Sequence, residues 1–126
     1  MKTEAQIVLT TQEVADQFLA LAQQEKWFEI QDQLFSEDVR SIEPTNSLYL
    51  KSEEGKSRVR KKAEDFVSQI EEVHKLHTTS TIISGNHFTV GRVMDLTVKG
   101  YGRVTIDEIM LYEVKDGQIV SEQFFY

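Results

Sequence analysis

HFTVGRVMDLTV (87–98), KGYG (99–102), RVTIDEIMLYEV (103–114), KDG (115–117) and QIVSEQFFY (118–126) follow one another at the end of the chain. They read as three long strands joined by two short turns. Asp116-Gly117 is a strong hairpin signal, because glycine takes the positive φ that such turns need. A sheet with one wet face alternates apolar and polar residues. Here Ile106, Met110 and Tyr112 point one way, while Ile109 and Leu111 point the other. Both faces therefore need a cover. The upstream sequence supplies helices for only one of them, so the second face is expected to meet another copy of the chain.

Upstream, Thr10 and Glu13 have capping-box spacing, and Val14, Phe18, Leu21 and Ala22 fall on one helical face. Gln23-Gln24-Glu25-Lys26 is a polar break. Trp27, Ile30, Gln31 and Leu34 continue a second short helix to about Phe35, which Ser36-Glu37-Asp38 ends. Val39–Glu43 is a short extended segment stopped by Pro44. Leu48-Tyr49-Leu50 is a possible partner strand, and Ser52–Gly55 reads as loop. Ser57 is expected to cap a long third helix, with Val59, Ala63, Phe66, Val67, Ile70, Val73 and His74 on one stripe. Thr78–Ser84 is rich in β-branched residues and reads as a strand. Helices packed on one face of a largely antiparallel sheet make an α+β fold.

The composition narrows the function. The chain has 126 residues, the size of one domain spanning 1–126. With no cysteine there is no thiol nucleophile or thiolate metal site. No stretch approaches the ~20 apolar residues of a membrane span. The polar Met1–Gln6 and the short Ile7-Val8-Leu9 do not make a signal peptide. A cytoplasmic location is expected. A net charge of −7 disfavours nucleic acid. Gly55-Lys56-Ser57 echoes a phosphate loop, but Leu50 stands where that motif needs glycine. The run Lys56, Arg58, Arg60, Lys61, Lys62 reads as a solvated face, with a weak anion contact as the alternative.

Gln33–Val39, Ile42-Glu43-Pro44, Gly55 ahead of a long helix, and Leu111–Val120 followed by Phe124-Phe125-Tyr126 together carry a resemblance. They resemble the nuclear-transport-factor-2-like superfamily and, within it, the SnoaL-like group that includes polyketide cyclases. The resemblance implies a cone: a curved, mostly antiparallel sheet wrapped around the N-terminal helices and the long helix. It also implies a pocket at the wide end and dimerisation through the outer sheet face. Glu43-Pro44 looks like the carboxylate–proline pair of ketosteroid isomerases. The positions best matching that branch's oxyanion donors are Phe18 and Met110, which donate no hydrogen bond.

The expected site is an apolar pocket for a small, carbonyl-bearing ligand. Phe18, Leu21, Trp27, Tyr49, His74, Met110 and Tyr112 would line it. Glu43 would be the base, partly desolvated and so suited to proton transfer; the alternative is a solvated loop acid. If Val98 pairs with Arg103, Glu108 faces Val93 and Asp95 lies diagonally near it, so the two acids could share a proton or bind a cation and one of them assist Glu43; the alternative is a polar pair at the pocket rim or in an interface. One slipped residue would separate them. His74 and His77 are spaced i, i+3, but no third ligand at matching spacing supports a metal. No cofactor is implied. The expected chemistry is isomerisation, cyclisation or dehydration by proton transfer; the alternative is a non-catalytic ligand-binding or dimerisation module.

Overall fold

The computed structural model describes residues 8–126, so the polar N-terminal segment discussed above lies outside the described residues apart from Val8 and Leu9. Helix α1 (Thr11–Ala22) starts at the expected box: the Thr10 hydroxyl accepts from the Glu13 N–H, and the Glu13 carboxylate accepts from the Thr10 N–H. After a short turn come α2 (Trp27–Leu34), β1 (Phe35–Ile42) and a two-residue β2 (Glu53–Glu54). Then follow α3 (Lys56–Ser68), β3 (Ile70–Thr78), β4 (Ile82–Ser84), β5 (His87–Val98), β6 (Gly102–Lys115) and β7 (Gln118–Phe125). The seven strands form one curved, unclosed sheet in the order β2-β1-β7-β6-β5-β3, with β4 beside β5. The last strand is central, antiparallel to β6 and parallel to β1. This is a mixed α+β architecture.

The three-strand block forms the three consecutive antiparallel strands that its turn signals mark. Phe88, Val90, Leu96, Ile106, Met110 and Tyr112 are buried, whereas Ile109 and Phe125 are about half exposed on the other face (50% and 49%). The β6–β7 turn places Asp116 and Gly117 at φ 52° and 75°. At Gly117 a Cβ would also lie 2.8 Å from the Leu9 backbone nitrogen, so the close approach of the two segments requires glycine. The core centres on Phe18, which is fully buried. Its ring centroid lies 5.7 Å from Trp27, 5.1 Å from Phe88 and 4.6 Å from Tyr112.

Several local expectations need correction, among them the strand expected over Thr78–Ser84, of which Thr78 ends one strand and only Ile82–Ser84 forms another. The third helix stops at Ser68, and Ile70–Thr78 is a strand. Its inward residues are Ile70, Val73, Leu76 and Thr78, opposite Val98, Leu96, Met94 and Arg92. Register shifts at Ile70/Glu72 and Val73/Lys75 each insert one residue. A bulged strand thus acquires the three-residue step that mimics a helix. Gly55, at φ 93°, is the N-cap of α3 instead of Ser57. Strand β1 begins at Phe35, and its partner is Glu53–Glu54, not Leu48–Leu50. Finally, Val98 pairs with Gly102, so the β5–β6 loop is one residue shorter than expected.

Phe18→Ala should cost about 3–5 kcal/mol, the usual range for deleting a buried aromatic ring. Urea unfolding of the two proteins measures it. A loss below about 1 kcal/mol would mean that Phe18 is not the centre of the core.

Candidate active site

The helices cover the inner face of the sheet, and the side chains on that face form rows across the strands. Ser41, Glu122, Tyr112 and Phe88 make one row; Phe124, Met110 and Val90 the next; Glu108, Arg92 and Thr78 a third. Glu43 lies two residues beyond Ser41, on the same side. A cavity of about 400 Å³ opens over these rows beneath α2 and α3. Trp27, Phe66, Ile70, Met94 and Phe124 give it apolar walls, and Glu25, Glu43, Glu108, Glu122, Lys62 and Arg92 give it charge.

At one end Lys62, from α3, reaches across to β1. Its Nζ lies 2.8 Å from Glu43 Oε2 and 2.6 Å from Ser41 Oγ. The Glu43 side chain is 2% exposed, so this ion pair is buried. Its other oxygen accepts from the Tyr126 hydroxyl at 2.7 Å. Since that proton goes to Glu43, the Ser47 hydroxyl donates to Tyr126 Oη at 2.6 Å. Burial raises the Tyr126 phenol strongly; the Ser47 contact opposes this, and the Glu43 charge adds to it.

At the other end Arg92 donates to Glu25 at 2.8 and 3.3 Å and to Thr78 Oγ1 at 2.9 Å. Its guanidinium lies 4.3 Å from the centre of the Trp27 ring, whose Nε1 also donates to Glu25. Burial pushes the Glu25 carboxyl up, but the hydrogen bonds from Arg92 and Trp27 outweigh it and hold Glu25 below its ordinary range. Glu25 occupies φ 57°, the left-handed region. Its N–H bonds Ala22 O and that of Lys26 bonds Leu21 O, a helix-ending motif whose left-handed position usually carries glycine. Backbone strain of this kind persists where a side chain is needed, and here Glu25 anchors Arg92.

Between the two ion pairs lie two further acids. Burial pushes Glu108 up to about 8; Glu43 and Glu122 add to this and Arg92 opposes it. Burial likewise raises Glu122 to about 7, against a hydrogen bond from Ser41 and the charge of Lys62. The Tyr112 phenol is raised by burial, then by Glu122 and Glu108. At neutral pH Glu108 is therefore predominantly a neutral acid facing the cavity, beside the ion-paired carboxylate of Glu43.

Of the residues singled out from sequence, Glu43, Glu108, Trp27, Met110 and Tyr112 line this cavity. Phe18 lies behind the wall in the core, and Leu21 packs against that core. Tyr49 lines a neighbouring depression. Asp95 and His74 are on the outer face. Glu108 pairs with Arg92, and Asp95 with Thr105, so the shortened loop separates the two acids. Asp95 instead holds Arg103 at 2.9 Å, and His74 bonds Thr97 Oγ1 at 2.7 Å. Sequence reading missed Arg92, Glu122, Lys62, Glu25 and Tyr126. Arg92 and Glu122 carried a usable signal, a charge at an inward position of an alternating strand.

A mixed α+β fold with a curved sheet and helices over its inner face defines the class of the fold, and the comparisons narrow it. The SnoaL-like domain family matches residues 9–126, and the chain belongs to that family. A structure from Mesorhizobium loti, described as a SnoaL-like polyketide cyclase [carbohydrate phosphatase], is 30% identical. The match covers 94% of this chain and all of that one, with a TM-score of 0.87. TerC, co-crystallised with polyporic acid, is similar in fold at 13% identity, 92% and 90% coverage and a TM-score of 0.68. A protein of ketosteroid isomerase-like fold from Catenulispora acidiphila, in complex with trimethylamine, matches at 20% identity, 77% and 72% coverage and a TM-score of 0.62. No curated protein matches the chain.

The pKa of Glu108 has a consequence for stability. Its ordinary value is 4.5 and its folded value about 8, so the folded state holds a proton that the unfolded state releases. Stability should be greatest below about pH 4.5 as far as this group is concerned, and fall as pH rises to about 8. Glu108→Gln should flatten this decline and raise the melting temperature at pH 8. Thermal melts of both proteins from pH 5 to pH 9 check it; parallel curves would mean that Glu108 ionises freely.

Proposed function

We propose that the inner cavity binds a small, largely apolar, carbonyl-bearing molecule and catalyses proton transfer next to the carbonyl. The observation that carries this reading is the contrast between Glu43 and Glu108. Glu43 is bonded to Lys62 and Tyr126, whereas burial raises Glu108 to about 8, so one cavity holds a carboxylate for the base and a carboxylic acid for the donor. The Glu43 carboxylate takes the proton from the carbon beside the carbonyl. The neutral Glu108 carboxyl donates a hydrogen bond or its proton to the carbonyl oxygen, giving an enol. Where a carbon–carbon double bond adjoins that carbon, Glu43 returns its proton to the far alkene carbon while the enol hydroxyl gives its proton back to Glu108, which completes a double-bond isomerisation with no co-reactant consumed. Lys62 and Tyr126 hold Glu43 in place, and Arg92 limits the repulsion felt by Glu108. The small molecules bound in the trimethylamine and polyporic acid structures support the small-molecule part of the reading.

The test needs no knowledge of the natural substrate. 2-Tetralone in D₂O, followed by proton NMR, should exchange its α-hydrogens faster with the protein than with buffer. Glu43→Gln should return the rate to background, and Glu108→Ala should lower it about 100-fold. Trp27, the single tryptophan, lines the cavity and reports binding by its emission. Quenching by tetralone without exchange would replace the catalytic reading with a binding module.

The half-exposed Ile109 and Phe125 are direct neighbours on the outer face, and Leu111 and Val93 lie near them, partly exposed. We propose that this patch joins two copies of the chain. Sedimentation should give a dimer at micromolar concentration, and Ile109→Glu should give a monomer of unchanged fold. A monomeric parent protein would overturn the proposal.

A further inference from the structure

A second depression, of about 430 Å³, adjoins the inner cavity and shares Leu50, Lys62 and Phe66 with it. Its charge is of the opposite kind. Lys51, Arg58, Lys61, Lys62 and Lys99 line it, against Glu53 and Asp65. The chain as a whole carries −7, so this gathering of cations runs against the overall charge. The cations come from three separate places: the loop after β1, helix α3 and the β5–β6 turn. Lys62 is committed to Glu43, and Lys61 pairs with Asp65. Lys51, Arg58 and Lys99 take part in none of the ion pairs among the described residues. Like charges held close repel one another until a counter-charge arrives. Tyr49 and Tyr101 meet edge to face at 4.9 Å and wall the same space, with the Tyr101 hydroxyl donating to Leu48 O at 2.8 Å.

Acids line one depression and cations the rim of the one beside it, and that contrast gives a ligand a direction. We infer that the ligand is an amphipathic anion, with its apolar body in the inner cavity and its anionic group resting among Lys51, Arg58 and Lys99. The inference rests on the small-molecule reading of the inner cavity and adds the chemical class of what enters it. The apolar walls of the inner cavity disfavour burying the anionic end, and the cations of the rim attract it. A neutral molecule of the same shape gains nothing from the rim.

Two dyes with one aromatic skeleton separate these effects. 8-Anilinonaphthalene-1-sulfonate carries an anion, and N-phenyl-1-naphthylamine does not. Fluorescence titrations of the full chain compare the parent protein with K51Q/R58Q/K99Q and with K26Q/K75Q/K115Q. The second variant removes the same charge away from the rim. The rim variant should weaken the sulfonate about tenfold and leave the neutral dye within about twofold. The control should leave both dyes within about twofold. Equal weakening of the sulfonate by both variants, or none by the rim variant, would overturn the anion assignment while leaving the cavity as a binding site. Failure of both dyes to bind the parent protein would instead remove the cavity reading, and this inference with it. Matching melting temperatures for the three proteins exclude misfolding as the cause.

Discussion

The buried ion pair between Lys62 and Glu43 is the interaction on which the wall between the two depressions depends. Burying two charges is costly, and their mutual attraction offsets that cost only when the remaining hydrogen-bonding capacity is filled. Here it is filled. Ser41 takes a second proton of the ammonium, and Tyr126 occupies the second carboxylate oxygen. The pair also ties helix α3 to strand β1, and so holds the helix over the cavity. Remove either partner, and the other is left as an uncompensated buried charge at the junction of the two depressions.

Arg92 does the same work at the far end, with a different chemistry. A guanidinium can stack on Trp27 and grip Glu25 with two donors at once, which an ammonium cannot do. Between these two anchors the sheet presents Glu108 and Glu122 against apolar walls. Two cations serve four carboxyl groups. The cost of charging the two acids outside the ion pairs raises them to about 8 and about 7, and the cavity acquires proton donors that the isolated side chains would not be at neutral pH.

Much of this architecture was legible in the chain itself. The β-rich runs of 87–126 between turn residues reported the three strands, and the Thr10–Glu13 pair reported the first helix start, because each is a local rule obeyed locally. The reading failed where one added or missing residue changes the outcome. Two bulges gave β3 a helical rhythm. A glycine paired in the ladder, at Gly102, shortened a loop and turned Asp95 away from Glu108. For the site, Glu43 was visible through its place before Pro44. Lys62 was hidden in a basic run that looked uniformly solvated, although Arg60, two positions before it, reaches Asp32 and Lys62 itself reaches Glu43. Which cation of such a run turns inward depends on the partner strand, and a helix read alone does not contain that information.

The crowding of ionisable groups around one cavity also affects how the protein would meet any ligand. With Glu108 near 8 and Glu122 near 7, the two acids hold a fractional number of protons at neutral pH. A ligand that displaces water from it changes the surroundings of both acids, and the proton count must readjust. Association would then release protons to the buffer or take them up, and its measured heat would depend on which buffer is present. The cavity would behave as a small proton reservoir coupled to occupancy, set to respond within the ordinary range of cellular acidity.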